Sequence, residues 1–306
     1  MTDFHAHVRD YLRIRRALGF KLSFHGQVLP QFASYLQTAG ASTLTVQLAV
    51  AWAELPQGVK PISLAHRLGV VRGFARYLKT IDPATELPPN GIWPTSNPRP
   101  TPYLWKEDDV LRLLEASQQL RPPLQALSHE TLFGLLAASG IRIGEALSLG
   151  RDDVDLGDGV LTIREAKFDR VRLVPLHPSG TEAMRRYADR RERLCPKPRS
   201  TTFFLSSAGT ALKYEDVRVS FVELTTALGL RTPTVRPRIH DLRHSFSVRT
   251  LVNWHRAGAD VAPRMAALSN YLGHLSAAGT YWYLSAAPEL MELAAARLDA
   301  RLAVRR

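Results

Sequence analysis

In the final quarter of the chain, Ile239-His240-Asp241-Leu242-Arg243-His244 is followed by Leu272-Gly273-His274 and then by Tyr283. Far upstream lie Arg142 and Glu145, in Ser139-Gly140-Ile141-Arg142-Ile143-Gly144-Glu145, and then Lys167, after Ala166. Together these residue types suit metal-free cleavage of a phosphodiester. A nucleophile must attack phosphorus, cations must hold the non-bridging oxygens, and an acid must protonate the oxygen that leaves. Tyrosine ionises near pH 10 in water, so a neutral-pH site needs positive charge close to it. Arginine suits the phosphate oxygens because its planar fork makes two parallel bonds. Lysine or histidine can supply the proton.

Each residue alone has a plainer reading. Arg142 reads as a surface arginine at a helix start, and Glu145 as its orienting partner or as an acid at a helix N-terminus. Lys167 reads as a solvated hairpin lysine. His240 and His244, four apart, share a helical face and could ligate a metal. Neither the glutamate of a metalloprotease helix nor an obvious third ligand accompanies them, so no metal site is assigned. His274 alone reads as an interior histidine, and Tyr283, beside Tyr281 and Trp282, as core packing. The acidic cluster Asp152, Asp153, Asp155 and Asp158 fails as a calcium loop, because Asp158 replaces the glycine and Arg164 the final glutamate. It reads as capping and turn chemistry. The chain has no glycine-rich phosphate loop, which leaves nucleotide hydrolysis without support.

Composition sets the outer bounds. The 306 residues suffice for two domains, and 45% hydrophobic with 22% charged content is that of a globular protein. A net charge of +12 favours a polyanionic partner, nucleic acid first and an anionic membrane second. The single Cys195 excludes an intrachain disulfide and any multi-thiolate zinc site, which suits a reducing cytosol. The first residues lack a signal peptide's apolar core, and the longest apolar run, Leu44 to Leu55, is broken by Gln47 and Glu54. The expectation is a cytoplasmic protein with no membrane association.

The elements that must position these residues fall into two regions. Seven prolines between Asp82 and Pro102 forbid a helix there and predict an extended connector. The predicted domains are therefore 1–82, a helical bundle, and 103–306, a mixed domain, joined by the proline-rich linker 83–102. In the bundle, Leu64, Leu68, Val71, Phe74 and Leu78 mark the buried stripe of a fourth helix. Arg67, Arg72 and Arg76 lie off that stripe as solvated surface or as a phosphate-contacting face. Ser42 or Thr43 is the predicted cap of the third helix. In the mixed domain a helix ends at Ser139-Gly140 with a left-handed glycine cap. Val160–Ile163 and Val171–Val174 predict short strands, the first preceded by a Gly157-Asp158-Gly159 turn. A third strand is predicted at Phe203-Phe204-Leu205. The fold class is mainly α with a small antiparallel β-sheet.

In combination, the order Arg, Lys, His-x-x-Arg, His, Tyr resembles the tyrosine recombinase (phage integrase) family. The matching pieces are Ala138 to Leu149 around Arg142, Ala166-Lys167 leading to Arg172-Leu173-Val174-Pro175-Leu176, and His240-Asp241-Leu242-Arg243-His244. Leu272-Gly273-His274 follows, with Tyr283 nine residues after that histidine. The first third resembles the family's core-binding domain more loosely. The resemblance implies a two-domain DNA clamp, a helical core-binding domain joined to a mixed catalytic domain. It implies that Arg142 and Arg243 grip the scissile phosphate, that His240 assists proton transfer, and that His274 hydrogen-bonds the phosphate. Lys167 then protonates the departing 5′ oxygen, Glu145 supports, and Tyr283 forms a 3′-phosphotyrosyl bond. No metal, ATP or other cofactor is implied.

Two departures keep alternatives open. Tyr281 is a second candidate nucleophile, and no glycine follows Lys167, which leaves Arg170 or Arg172 as rival cations. The implied partner is double-stranded DNA carrying specific recombination sites, bound by a homo-tetramer or hetero-tetramer, with the recombinase belonging to a transposon or integrated element. A type IB topoisomerase and a non-catalytic accessory DNA-binding relative are the alternatives. The terminal stretch Pro288 to Leu302, with Leu290, Leu293, Leu298 and Leu302 on one face, reads as core packing or as a segment docking on a neighbouring subunit.

Overall fold

The computed structural model describes residues 2–95, 101–165, 170–274 and 290–292, the side chains of Glu165 and Arg170 excepted. It divides into two compact units, Met1–Pro100 and Thr101–Arg306.

The first unit is built on helices α1 (Phe4–Ala17), α2 (Ser23–Thr38), α3 (Val46–Glu54) and α4 (Pro61–Leu78). Each presents one apolar stripe inward: Phe4, Val8, Tyr11 and Leu12 from α1, Leu29, Phe32 and Leu36 from α2, and Leu68, Val71, Phe74 and Leu78 from α4. Phe32 and Trp52 meet at the centre with ring centroids 5.0 Å apart. The cap of α3 is Thr45, whose side chain accepts from Leu48 N, and neither Ser42 nor Thr43 takes that role. Thr43 instead donates to Asp82 at 2.6 Å. Contact with a distant carboxylate thus overrides the local capping preference.

The described residues of the proline-rich stretch hold no helix, but they are fastened to this bundle. Glu86 accepts from Val46 N at 2.6 Å, at the exposed start of α3, where a carboxylate meets unpaired N–H groups. Arg72 donates to the carbonyls of Pro88 and Pro89, and Trp93 packs on the same core. Proline removed the donors from this segment and left its carbonyls to be taken by a side chain.

The second unit runs α5 (Glu107–Ser117), α6 (Pro123–Ser139), α7 (Ile143–Ser148), β1 (Val154–Asp155), β2 (Val160–Glu165), β3 (Arg170–Pro175), α8 (Pro178–Leu194), α9 (Tyr214–Ala227), α10 (Ile239–Arg256) and α11 (Val261–Leu272). The antiparallel sheet has the order β1-β2-β3, with Leu161 opposite Val174 and Ile163 opposite Arg172. Alternation turns Leu161, Ile163 and Val174 inward, against Phe203, Phe204, Met184 and Tyr187. In the acidic cluster, Asp155 accepts from the N–H groups of Gly157 and Asp158, and Asp153 accepts from Gly150 N and Arg164. It is turn and capping chemistry.

The predicted third strand at Phe203-Phe204-Leu205 is corrected. The run is buried but joins no sheet; isolated bridges pair Gly150 with Thr202 and Leu205 with Ala211. Three consecutive apolar residues mark burial, and burial alone does not distinguish a strand from an interior loop.

Candidate functional site

α6 is buried along most of its length, from Leu124 to Ser139, and ends at Gly140, in the left-handed region at φ 63°. Glycine is required there for two reasons. A side chain disfavours that backbone, and an added Cβ would lie 2.4 Å from Cδ1 of Phe246 on α10. The Gly140 carbonyl is thereby aimed at α10, where it accepts from Nη1 of Arg243 at 2.8 Å.

Two residues on, Arg142 is the N-cap of α7 and Glu145 its N3 residue. The Glu145 carboxylate reaches back to the Arg142 backbone N–H (2.8 Å) and to its guanidinium (2.6 Å). One acid therefore both starts the helix and fixes the arginine. α10 begins in the same way: buried Asp241 accepts from the backbone N and the guanidinium of Arg238. Ser245 then accepts from Trp105 N, fastening the start of the unit to α10.

On α10, His240, Arg243 and His244 share one face, with the two imidazoles edge-on at 4.7 Å. Arg243 is 2% exposed, His244 is buried, and His240 faces solvent. α11 ends at Gly273, again left-handed, in a Schellman-type cap where His274 N donates to Ser269 O.

The last carbonyls of α11 lack helical partners, and arginines take three in succession. Arg172 donates to Tyr271 O at 3.1 Å, Arg243 to Leu272 O at 2.7 Å, and Arg142 to Gly273 O at 2.6 Å. Arg243 also donates to His274 Nε2 at 2.9 Å. Arginine has no acceptor, so that nitrogen carries the lone pair and the ring proton lies on Nδ1. Arg172 completes the cluster through Glu145, at 2.7 Å. Arg142, Arg243, His240, His274 and Glu145 are thus brought together from α7, α10 and the end of α11.

The electrostatics follow from this crowding. Burial raises the Glu145 carboxyl, but hydrogen bonds from Arg172 and Arg142 outweigh it and hold the group below the usual carboxylate range. Burial, then the charges of Arg243 and Arg142, push His274 down to about 4. His240 is lowered by partial withdrawal from water and then by Arg243. Both imidazoles are therefore neutral at pH 7, and three guanidiniums face one carboxylate. An anion with spread negative charge is the complement of that cluster. Among the described residues, no three His, Cys, Asp or Glu side chains are grouped to hold a metal ion.

Lys167, Tyr281 and Tyr283 lie outside the described residues, as does most of the terminal stretch; its Leu290 is buried with Val248, Leu251 and Leu268. Of the candidate DNA-contacting arginines on α4, Arg67 lies over Trp52, 3.9 Å from the ring centroid, and Arg72 holds Pro88 and Pro89. Arg76 is exposed. Sequence reasoning missed Asp241 as a cap and Arg172 as the second partner of Glu145. The signal for the latter was its period: Arg172 shares a strand face with Val174, and a charge on an inward face requires a partner.

The chain matches known proteins along its length. The Phage integrase family model matches residues 104–289. The putative integrase/recombinase y4rB of Sinorhizobium fredii is 41% identical over 309 residues, covering 98% of both chains. The tyrosine recombinase XerD of Listeria monocytogenes is 29% identical, covering 74% of this chain and 72% of its own. Among solved structures, the Tn1549 transposon integrase in complex with transposon right end DNA aligns with a TM-score of 0.65 at 18% identity. That alignment covers 97% of this chain and 99% of the other, and it bears on the fold alone.

Proposed function

The chain belongs to the phage integrase family, and on that premise we propose that it is a site-specific DNA recombinase working through a 3′-phosphotyrosyl bond at Tyr283. The observation that carries this reading is the convergence of Arg142 and Arg243 beside His240 and His274, with Arg172 and Glu145 behind them. Three guanidiniums against one carboxylate leave an excess of positive charge, which suits a phosphodiester gaining negative charge as it is attacked.

In this mechanism Arg142 and Arg243 take the non-bridging oxygens through their planar forks. The Tyr283 oxygen attacks phosphorus and its proton passes toward neutral His240. The bond from phosphorus to the 5′ oxygen breaks, and Lys167 supplies the proton that oxygen needs. His274 hydrogen-bonds the phosphate and is itself aligned by Arg243. Attack by a free 5′ hydroxyl on the phosphotyrosine reverses the sequence and joins a new strand. The phosphoryl bond is exchanged at each step and not hydrolysed, so no nucleotide is consumed.

Double-stranded DNA is the proposed partner, bound by several copies of the chain in the cytoplasm, with exposed Arg76 on α4 as a phosphate contact. The similarity to the S. fredii protein runs through the helical unit as well, which favours a recombinase over a topoisomerase. No helix among the described residues is long and apolar enough to cross a membrane.

The test is incubation with nicked duplex carrying the sequence that flanks the coding region, in chelator, followed by a denaturing gel. A covalent protein–DNA band is expected from the native chain and none from Tyr283→Phe. A band that persists in the variant, or that needs magnesium, overturns the mechanism.

A further inference from the structure

We infer that Arg172 is a positioning residue for strand cleavage, bracing Glu145 and the last turn of α11 so that the Arg142 guanidinium stands where the phosphate must bind. This rests on the reading of Arg142 as a phosphate-gripping residue.

In the sheet, Arg172 pairs with Ile163 across the hairpin and shares its face with Val174, whereas Val171 and Leu173 point outward to solvent. Its side chain is 13% exposed, so a charge stands where the sheet pattern calls for an apolar group. A buried charge of that kind persists only with its donors satisfied. Arg172 meets Glu145 Oε2 at 2.7 Å and Tyr271 O at 3.1 Å.

The first of those acceptors also holds Arg142, and the second lies in the same turn as the other acceptor of Arg142. Glu145 Oε1 takes Nη1 of Arg142 at 2.6 Å, and Gly273 O, two residues beyond Tyr271, takes Nη2, also at 2.6 Å. The bonds close a frame: Arg172 to Glu145, Glu145 to Arg142, Arg142 to Gly273, and back through the turn of α11 to Tyr271 and Arg172. Within the frame Arg142 is the outer member, its side chain 38% exposed against 13% for Arg172. Arg172, with donors given to Glu145 and to Tyr271 O, holds the frame, and Arg142 is the member of it that this reading assigns to the phosphate. Arginine does not release a proton near neutrality, so the role of leaving-group acid does not pass to Arg172.

A methionine of similar length could fill the space, since a buried ion pair often does no more for stability than a well-packed apolar side chain. What methionine cannot do is hold two acceptors in fixed relation. Displacing a reacting group by about 1 Å costs on the order of 100-fold in rate. The role therefore separates from mere folding in the rate of the bound complex.

The experiment compares the full-length native chain with Arg172→Met and Arg172→Lys on nicked duplex. It measures DNA affinity, the single-turnover cleavage rate at saturating protein, and the pH profile of that rate. Arg172→Met is expected to bind DNA within about threefold of the native chain and to cleave about 30- to 100-fold more slowly. Its acid limb should move to higher pH, because Glu145 loses a cation that keeps it ionised. Arg172→Lys, able to reach Glu145 with one ammonium, should recover some of the rate. If Arg172→Met folds poorly, the lysine variant decides, through its slowed rate and the same displacement of its acid limb. Cleavage at the native rate by either variant overturns the inference. So does a loss of affinity, rate and stability together with no recovery by lysine. A native chain that forms no adduct fails earlier, and condemns the functional reading itself.

Discussion

Arg67 and Arg72 of the helical unit and the arginines beside α11 are all tied to their own chain, yet only the second group forms a site. On α4, Arg67 rests on Trp52 and Arg72 on the Pro88 and Pro89 carbonyls, each with its own structural task. In the second unit Arg142, Arg172 and Arg243 come from three different elements and end on three successive carbonyls. A basic composition describes both groups equally well. Function follows from convergence, because cations held near one point with one carboxylate among them create a potential that scattered arginines do not.

The contrast breaks most visibly at Arg243. Arg243→Met should slow single-turnover cleavage of bound duplex about 100- to 1,000-fold, the scale for losing one oriented donor in a phosphate or oxyanion site. It should also lower stability by about 1–3 kcal/mol, since buried carbonyls of Gly140 and Leu272 lose their donor. A variant that cleaves normally would dissolve the distinction between the two groups.

Next in size is Gly140→Ala, which combines an unfavourable φ of 63° with a Cβ placed 2.4 Å from the Phe246 ring. A loss of about 2–4 kcal/mol in chemical denaturation is expected, with slower cleavage because the peptide that receives Arg243 must shift. Unchanged stability would mean that α6 and α10 can separate at this point without cost.

The third test concerns pH. Burial, reinforced by arginines, holds folded His274 at about 4, against 6.5 for an ordinary histidine, so between those values the unfolded chain takes up the proton first. Stability should accordingly fall as pH drops from about 6.5 towards 4. His274→Gln should flatten that dependence in thermal melts. A slope that survives the substitution would assign the effect elsewhere.

The smallest effect lies on the other side of the comparison. Arg72→Met should cost about 1 kcal/mol and hasten proteolysis between residues 86 and 93, while cleavage of bound duplex stays within about twofold. A fall in the cleavage rate matching that of Arg243→Met would place Arg72 in the chemistry after all.

Much of this arrangement was legible in the sequence wherever the cause was local. Gly140 ends a long helix, Arg142 and Glu145 stand at capping spacing, and the Gly157-Asp158-Gly159 turn announces the hairpin. The buried stripe of α4 follows helical spacing at Leu68, Val71, Phe74 and Leu78. What was not legible depended on partners far along the chain. Thr43 serves Asp82 and leaves the α3 cap to Thr45, and nothing near Arg72 in sequence announces Pro88 and Pro89. The three arginines reach α11 across 29 to 131 residues, a relation that spacing within any one motif does not contain. The resemblance of those motifs to one family supplied the grouping, and the fold supplies its physical reason: the unpaired carbonyls at the end of a helix.

The most direct test of the mechanism is to identify the amino acid that carries DNA. The adduct from the nicked duplex can be digested with nuclease and trypsin, and the peptide spanning Met265 to Arg297 examined by fragmentation mass spectrometry. The expected result is a nucleotide attached through phosphate to Tyr283. Attachment at Tyr281 or at any other residue, or a native chain that yields no attached nucleotide, would contradict it.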